Sequence, residues 1–394
     1  MIDKSSTTTY SFTRTHLTWF SYFCVGLYAY LINILGPIIP FLRGEMGFSY
    51  TVSSLHTSAF AIGMILAGTT GDRIGSKLGR RRTLWLGMLG LVIGAILLIV
   101  GWNPILTILG ALLMGTVGTL VMVTVNASLA DQYGEQRTLA FTESNVVAGL
   151  YTLAAPLLTG IASRSPFGWR AALAVAIGYA IFFFLRYQKL ELAASTQPIA
   201  SSTYTPPGRL PARFWHYWLV IVAVVSVEFC IITWSSTFLE VDIGLSRENA
   251  ALILSIFFLA MLVGRWLGTL ALRRVDPTRF LLLTIALCAG GFLLHWLAPT
   301  PTLSVAGLFL AGLGVANHLP LSMGLAVGAA PGQSDTASAR VVIASGTAIL
   351  TLPLLLGGLA DWIGLWWAYS IVLPLLLVAM GLVLSTLRKP AGKS

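Results

Sequence analysis

The chain has 394 residues, of which 56% are hydrophobic and only 10% charged, with 24 cations against 14 acids for a net charge of +10. A mean hydropathy of +0.84 excludes an ordinary soluble domain, and the cations lie in short segments between apolar runs instead of on one basic face, which argues against a nucleic-acid binder. What remains is an all-α, polytopic membrane protein whose basic residues anchor at the headgroups.

Apolar runs bounded by charge, proline and glycine predict twelve membrane-spanning helices, at residues 16–42, 51–71, 83–101, 104–130, 138–163, 168–187, 214–240, 246–272, 279–298, 302–330, 336–361 and 365–387. Residues 1–15 are polar and read as a tail. The first apolar run is too long for a signal peptide and has no small-residue cleavage site after it. In that first helix, Tyr30, Asn33 and the Gly36-Pro37 break make a candidate cavity wall, with aromatic packing as the alternative. Cys24, Cys230 and Cys288 each lie in an apolar run without metal-like spacing, so neither a disulfide nor a metal site is expected. The chain contains no P-loop, no HExxH and no nucleophile elbow, which argues against an ATP-driven pump or a hydrolase, and neither enzyme activity nor a cofactor is expected.

The densest charge sits between the second and third runs, in Asp72, Arg73, Lys77, Arg80, Arg81 and Arg82. Translocating so short a cationic segment opposes the positive-inside bias, which places it in the cytoplasm together with both termini. Only Arg43, Arg164, Arg170 and Arg247 then fall in outside segments. The pattern Gly68-x-x-x-Asp72-Arg73-x-Gly75 followed by Arg80-Arg81-Arg82 resembles the signature loop of the major facilitator superfamily, except that Ser76-Lys77-Leu78-Gly79 separate the second glycine from the arginines. The resemblance implies an Asp beside the N-terminus of a facing helix, glycines allowing a tight reversal and arginines in the headgroup layer. Two other features of the family are weak: no Arg precedes Gly115 or Gly118, and the antiporter-type motif survives only as Ala155-Pro156-Leu157-Leu158-Thr159-Gly160.

Residues 188–213, rich in Ser, Thr and Pro, read as a cytoplasmic linker between bundles at 16–187 and 214–387, with a short tail at 388–394. An internal repeat supports the division. Phe41 and Phe238, Gly94 and Gly291, Pro104 and Pro301, Gly115 and Gly312, Gly149 and Gly346, and Pro156 and Pro353 are all related by one ungapped offset of 197 positions. Two six-helix bundles related by a parallel repeat are the architecture that the resemblance implies, with a site near the bilayer midplane where they meet.

Ionisable groups inside the membrane are costly unless paired or facing water, so each is a candidate. Glu228, midway along the seventh helix, reads either as a proton or cation site or as a structural acid. Asn317-His318, ahead of Pro320, reads as a proton shuttle or as polar packing. Arg265 either binds an anionic group of a substrate or snorkels to the headgroups. Glu143 and Arg340 occupy equivalent positions of helices five and eleven, as a contact across the pseudo-two-fold or as members of a network with Asp72, Arg73, Asp131 and Arg137.

The expected function is secondary active transport of a small molecule by alternating access across a bacterial-type cytoplasmic membrane, coupled to protons. A narrower alternative is a proton-driven multidrug or metabolite exporter, and a membrane sensor or scaffold without transport is the alternative of another class. The partners expected are the small-molecule substrate, protons and membrane lipids, with no nucleic acid and the chain acting as a monomer. A lightly charged cavity favours a small neutral or amphipathic solute over a polyanion.

Overall fold

The computed structural model describes residues 13–189, 210–331 and 333–388. Most of the expected linker and of both terminal tails lies outside the described residues. Twelve helices are long and apolar enough to cross a membrane, and no strand is found among the described residues. They are α1 (His16–Met46), α2 (Tyr50–Leu78), α3 (Arg80–Val100), α4 (Pro104–Tyr133), α5 (Arg137–Ala162), α6 (Arg170–Tyr187), α7 (Ala212–Val241), α8 (Arg247–Ala271), α9 (Pro277–Leu297), α10 (Pro301–Gly328), α11 (Ser334–Ile363) and α12 (Leu365–Arg388).

Local chemistry at the helix starts repeats with the offset seen in the sequence. Ser49 and Ser246 cap α2 and α8 by accepting the backbone N–H of Val52 and Asn249. Asn103 and Thr300 cap α4 and α10, each followed by a proline at the first helical position, where a missing N–H costs no helical bond. Ahead of α2 and α8 the chain turns at Gly47 and Gly244, whose φ angles of +67° and +79° suit glycine.

Four of the helices depart from regular α geometry: α4 passes through a π-helical turn at Met114–Gly118, α12 breaks between Tyr369 and Val372, and α1 and α10 are interrupted near their prolines. In α1 regular geometry stops at Asn33 and resumes at Leu35, just before Pro37. In α10 it stops at Val315 and resumes at His318, and Pro320 lacks the N–H that would otherwise bond the Ala316 carbonyl.

One hydrophobic core is built almost wholly from α1–α6 and a second from α7–α12. Within each, glycines let helices touch backbone to backbone. A Cβ on Gly115 would lie 2.1 Å from the Phe60 carbonyl, and one on Gly312 would lie 2.6 Å from the Phe257 carbonyl, the equivalent partner in the other half. The halves meet where α2 packs on α11, α5 on α8, and the second segment of α1 on α7. These contacts are reciprocal too, since Gly149 abuts Leu262 and Gly346 abuts Ile65, four residues that form two pairs under the same offset.

The cross-half contacts gather at the end of the molecule opposite the termini. There Asp361 of α11 accepts the backbone N–H groups of Tyr50 and Thr51 at 2.7 and 2.8 Å and the Thr51 hydroxyl at 2.6 Å. Arg164 after α5 donates to Asn249 of α8 at 2.6 Å, and the Ser58 hydroxyl donates to the Leu350 carbonyl at 2.9 Å. From Tyr50 to Ile65 the seal follows α2 for about 22 Å. Beyond it the helices part, and a Cβ on Gly68 would meet nothing within 4 Å.

The charged segment after the second apolar run differs from the expected loop. Gly68, Asp72, Arg73 and Gly75 are all helical, and α2 continues to Leu78. The reversal is made by Gly79 alone, at φ +78°. Arg73 and Lys77 are exposed, so charge ends the apolar run without ending the helix.

Candidate functional site

A cavity of about 180 Å³ lies where the halves meet, between the seal and the open end. Ile32 and Asn33 of α1, Asn145, Ala148, Gly149 and Thr152 of α5, Glu228 and Phe229 of α7, and Phe258, Met261, Leu262 and Arg265 of α8 line it. Asn145 and Arg265, on the side of the termini, are exposed, whereas Phe258 and Met261, toward the seal, are buried. The cavity therefore opens toward the end that carries the termini. A larger groove, about 850 Å³, runs between α3 and α6 past Trp85, Leu89 and Phe184, but it holds none of the acidic groups.

The break in α1 positions Asn33. Its side-chain amide donates to the Ala29 carbonyl at 2.8 Å and to the Thr152 hydroxyl at 3.4 Å, tying α1 to α5 across the cavity wall. Glu228 makes no ion pair among the described residues, and Arg265 is the charged group that acts on it electrostatically. Arg265 is exposed and lines the cavity. Its Nε donates to the Ala316 carbonyl at 3.4 Å, the carbonyl that Pro320 leaves without its helical donor, and its two terminal nitrogens make no hydrogen bond among the described residues.

Of the intramembrane candidates, Asn33, Glu228 and Arg265 are thus brought together. Tyr30 is not in the cavity. It is buried inside the N-terminal half, where its hydroxyl donates to the Ala172 carbonyl of α6 at 2.9 Å. Asn317 donates to the Gly264 carbonyl at 2.8 Å and packs α10 against α8, and His318 is fully buried beside it. Both lie outside the cavity lining.

Near the termini, Glu143 pairs with Arg14 at 2.5 and 2.9 Å and accepts the Tyr22 hydroxyl at 3.1 Å, so its partners are within its own half. The Glu143 carboxylate raises the Arg14 guanidinium above its ordinary value through their hydrogen bond. Arg340 is exposed and, among the described residues, makes no hydrogen bond or ion pair with Glu143, while its carbonyl accepts the Trp218 indole N–H at 2.9 Å. Arg80 forms an ion pair with Asp131, fastening α3 to α4, and Arg81 donates to the Gln188 carbonyl after α6. Arg73 and Arg137 are exposed.

Sequence reasoning missed Asn145 and Thr152, although Asn145, Gly149 and Thr152 fall at helical spacing on one face of α5 and so carried a signal. It also missed Asp361, whose role depends on the start of a helix more than 300 positions earlier in the chain.

The cyanate transport protein CynX of Escherichia coli (strain K12) is 25% identical to this chain over 313 residues, which cover 75% of this chain and 77% of that protein. Among solved structures, the nucleoside transporter NupG superposes with a TM-score of 0.78 at 12% identity, covering 95% of this chain and all of that one. A bacterial homologue of the human lysosomal transporter Spinster, in an inward-facing and occupied conformation, superposes with a TM-score of 0.76 at 14% identity, covering 95% of this chain and 97% of the other. At such identities the structural likeness establishes the fold, and the sequence match reaches further: with the model of the Major Facilitator Superfamily matching residues 18–304 and 242–394, which together run through both halves, this chain belongs to that superfamily.

Proposed function

We propose that the chain is a secondary active transporter that moves a small molecule through the central cavity by alternating access, coupled to protons at Glu228, with the bundles 16–187 and 214–387 moving as the two halves. Both termini and the linker are cytoplasmic in this reading, so the cavity is open inward and the Asp361 seal is the closed outer gate. One observation carries the reading: an acid without an ion-pair partner stands in a cavity between the halves that is closed at one end and open at the other. A half-buried carboxyl inside the membrane with no ion-pair contact is costly unless the site uses it, and a proton or a solute is what such a cavity admits. The relative named for cyanate and the structural neighbour named for nucleosides both handle small molecules, which fits a cavity of this size.

The test is solute flux in proteoliposomes under an imposed proton gradient, with the native protein and Glu228→Gln. Concentrative flux should collapse in the variant while exchange without a gradient persists. Unchanged flux and pH dependence would reduce Glu228 to a structural acid, and no substrate-dependent flux at all would favour a sensor or scaffold.

A further inference from the structure

The cavity's two charged groups are not equivalent. Glu228 can be neutralised by a proton, whereas a guanidinium stays charged at any working pH. The fixed charge of the site therefore alternates between zero and plus one and does not become negative. Arg265 is held by a single long bond from Nε to the Ala316 carbonyl, which leaves both terminal nitrogens, the prongs that grip an oxyanion, without a partner. Around it stand neutral polar groups, the Asn145 amide and the Thr152 hydroxyl, with Phe258 and Met261 on the sealed side. A cation seated here would face an Arg that nothing in the cavity pairs within ion-pair distance. A polyanion would face one cation only.

We infer that the transported solute is a small monoanion, such as a carboxylate, gripped by Arg265 and carried together with one proton on Glu228. Resting on the proposed transport role of this cavity, the inference adds the substrate class and the stoichiometry. With the cavity empty, the Glu228 and Arg265 charges balance across it. When an anion takes Arg265, the carboxylate is left without a counter-charge, and a proton on Glu228 restores neutrality. Anion and proton thus favour each other's binding, and the loaded site has the same net charge as the empty one, so the step across the membrane carries no net charge. Among the described residues, the titratable groups that interact with Glu228 are Arg265 from α8 and the buried thiol of Cys288 from α9. Among the described residues, no charged group on α1, α10, α11 or α12 acts on it. The cavity sets the scale of the solute, since about 180 Å³ is about six times the ~30 Å³ of a liquid water.

The experiment uses the purified full chain and compares sodium nitrate, formate, acetate, lactate and benzoate with the neutral amides acetamide, lactamide and benzamide. Thermal stabilisation by at least one monoanion and by none of the amides is expected, stronger at pH 5.5 than at pH 8. Arg265→Gln should weaken that anion by about tenfold or more, as befits a charge-assisted bidentate contact, and Arg265→Lys by less. Glu228→Gln should still bind the anion but lose the pH dependence. In proteoliposomes, a pH gradient should drive uptake of the stabilising anion, while a potential set by potassium and valinomycin should not. The inference is overturned if no monoanion stabilises, if an amide does so equally, if stabilisation survives Arg265→Gln, or if potential alone drives uptake. Should a neutral or cationic solute instead show flux that collapses in Glu228→Gln, the monoanion falls while proton coupling stands; flux of no solute sinks both.

Discussion

The outer seal offers the sharpest test of the alternating-access reading, because Asp361 bonds the first turn of α2 from the other half of the protein. Asp361→Ala removes three hydrogen bonds at once, from the Tyr50 and Thr51 N–H groups and from the Thr51 hydroxyl. Each bond to a carboxylate is worth about 1.5–3 kcal/mol when shielded, but this one is exposed, and an acid at an exposed helix start contributes ~0.3–1 kcal/mol through the dipole with a further ~0.5–2 kcal/mol as a cap. A net of about 1–2 kcal/mol is the consistent figure, and at 1.4 kcal/mol per factor of ten it shifts the balance between closed and open outer gates by about 5- to 30-fold. Ser54 reports that balance, since it is fully buried beneath Gly357 in the closed gate. In a background with Cys24, Cys230 and Cys288 replaced, Ser54→Cys should react with an impermeant thiol reagent from outside about 5- to 30-fold faster when Asp361→Ala is added. Gly36→Ala should act in the same direction, because its Cβ would lie 2.2 Å from the Ile232 carbonyl across the closed gate. Tyr30→Phe is the control: the Tyr30 hydroxyl donates to the Ala172 carbonyl at 2.9 Å inside the N-terminal half, so its loss should leave the rate unchanged. A rate within twofold of the parent in Asp361→Ala, or acceleration by Tyr30→Phe as well, refutes the assignment of Asp361 as a gate residue.

Cysteines placed at Ser201 and at Asn103 should label from opposite sides of the membrane, and labelling from the same side removes the proposed orientation. Burial at the end of α7 pushes the Asp242 carboxyl from its ordinary 3.8 up to about 6, so its ionised form weighs against the folded state. That cost is absent below about pH 4 and complete above about pH 6, so this group makes thermal stability fall as pH rises through the window; Asp242→Asn should flatten the slope, and an unchanged slope assigns it to other groups. For Glu143 and Arg340, a contact made only when the cytoplasmic side closes predicts that Glu143→Gln and Arg340→Gln each favour the inward-open state. It also predicts that the double variant is less impaired than the sum, and a coupling under about 0.5 kcal/mol in the double-mutant cycle removes the contact.

How much of this was legible in the sequence depended on whether the signal was local. Helices in lipid must satisfy their backbone internally, which makes long apolar runs reliable, and the 197-position repeat returned as paired caps at Ser49 and Ser246 and at Asn103 and Thr300. The end of α2 was not legible, because helical hydrogen bonding continues to Leu78 through residues whose charge reads as a loop. Tyr30 illustrates the opposite error: a polar tip at mid-span suggested a cavity, but its hydroxyl is satisfied by a carbonyl on α6 that only the tertiary fold brings near. Arg265 combines the two. Its depth alone allowed snorkelling, and what holds it is a carbonyl freed by Pro320, a local break acting on a residue more than fifty positions away.

In the proposed orientation, the same helices that seal the outer end constrain what can seal the inner one. Closure of two packed halves is a rigid-body movement, so a rocking motion that parts α2 from α11 and α5 from α8 outside brings those same pairs together inside. Gly68 supports this, because in the present state its Cβ would meet nothing within 4 Å, although glycine costs a helix about 1 kcal/mol relative to alanine. The cost has a return if α11 packs there in the other state, as α11 already packs on α2 at Gly357 and Gly346. On this geometry Arg340, near the start of α11, approaches the stretch of α2 that holds Asp72 and Arg73, while Glu143 on α5 approaches the end of α8, where Arg273 and Arg274 follow. A direct Glu143–Arg340 contact would instead join α5 to α11, a pair that does not pack together at the outer gate. Running the double-mutant cycle on Asp72 with Arg340 beside that on Glu143 with Arg340 separates the two arrangements. Coupling in the first and none in the second identifies α2 and α11 as the inner gate and leaves Glu143 to Arg14; the reverse requires a twist of the halves that a simple rocking motion does not supply.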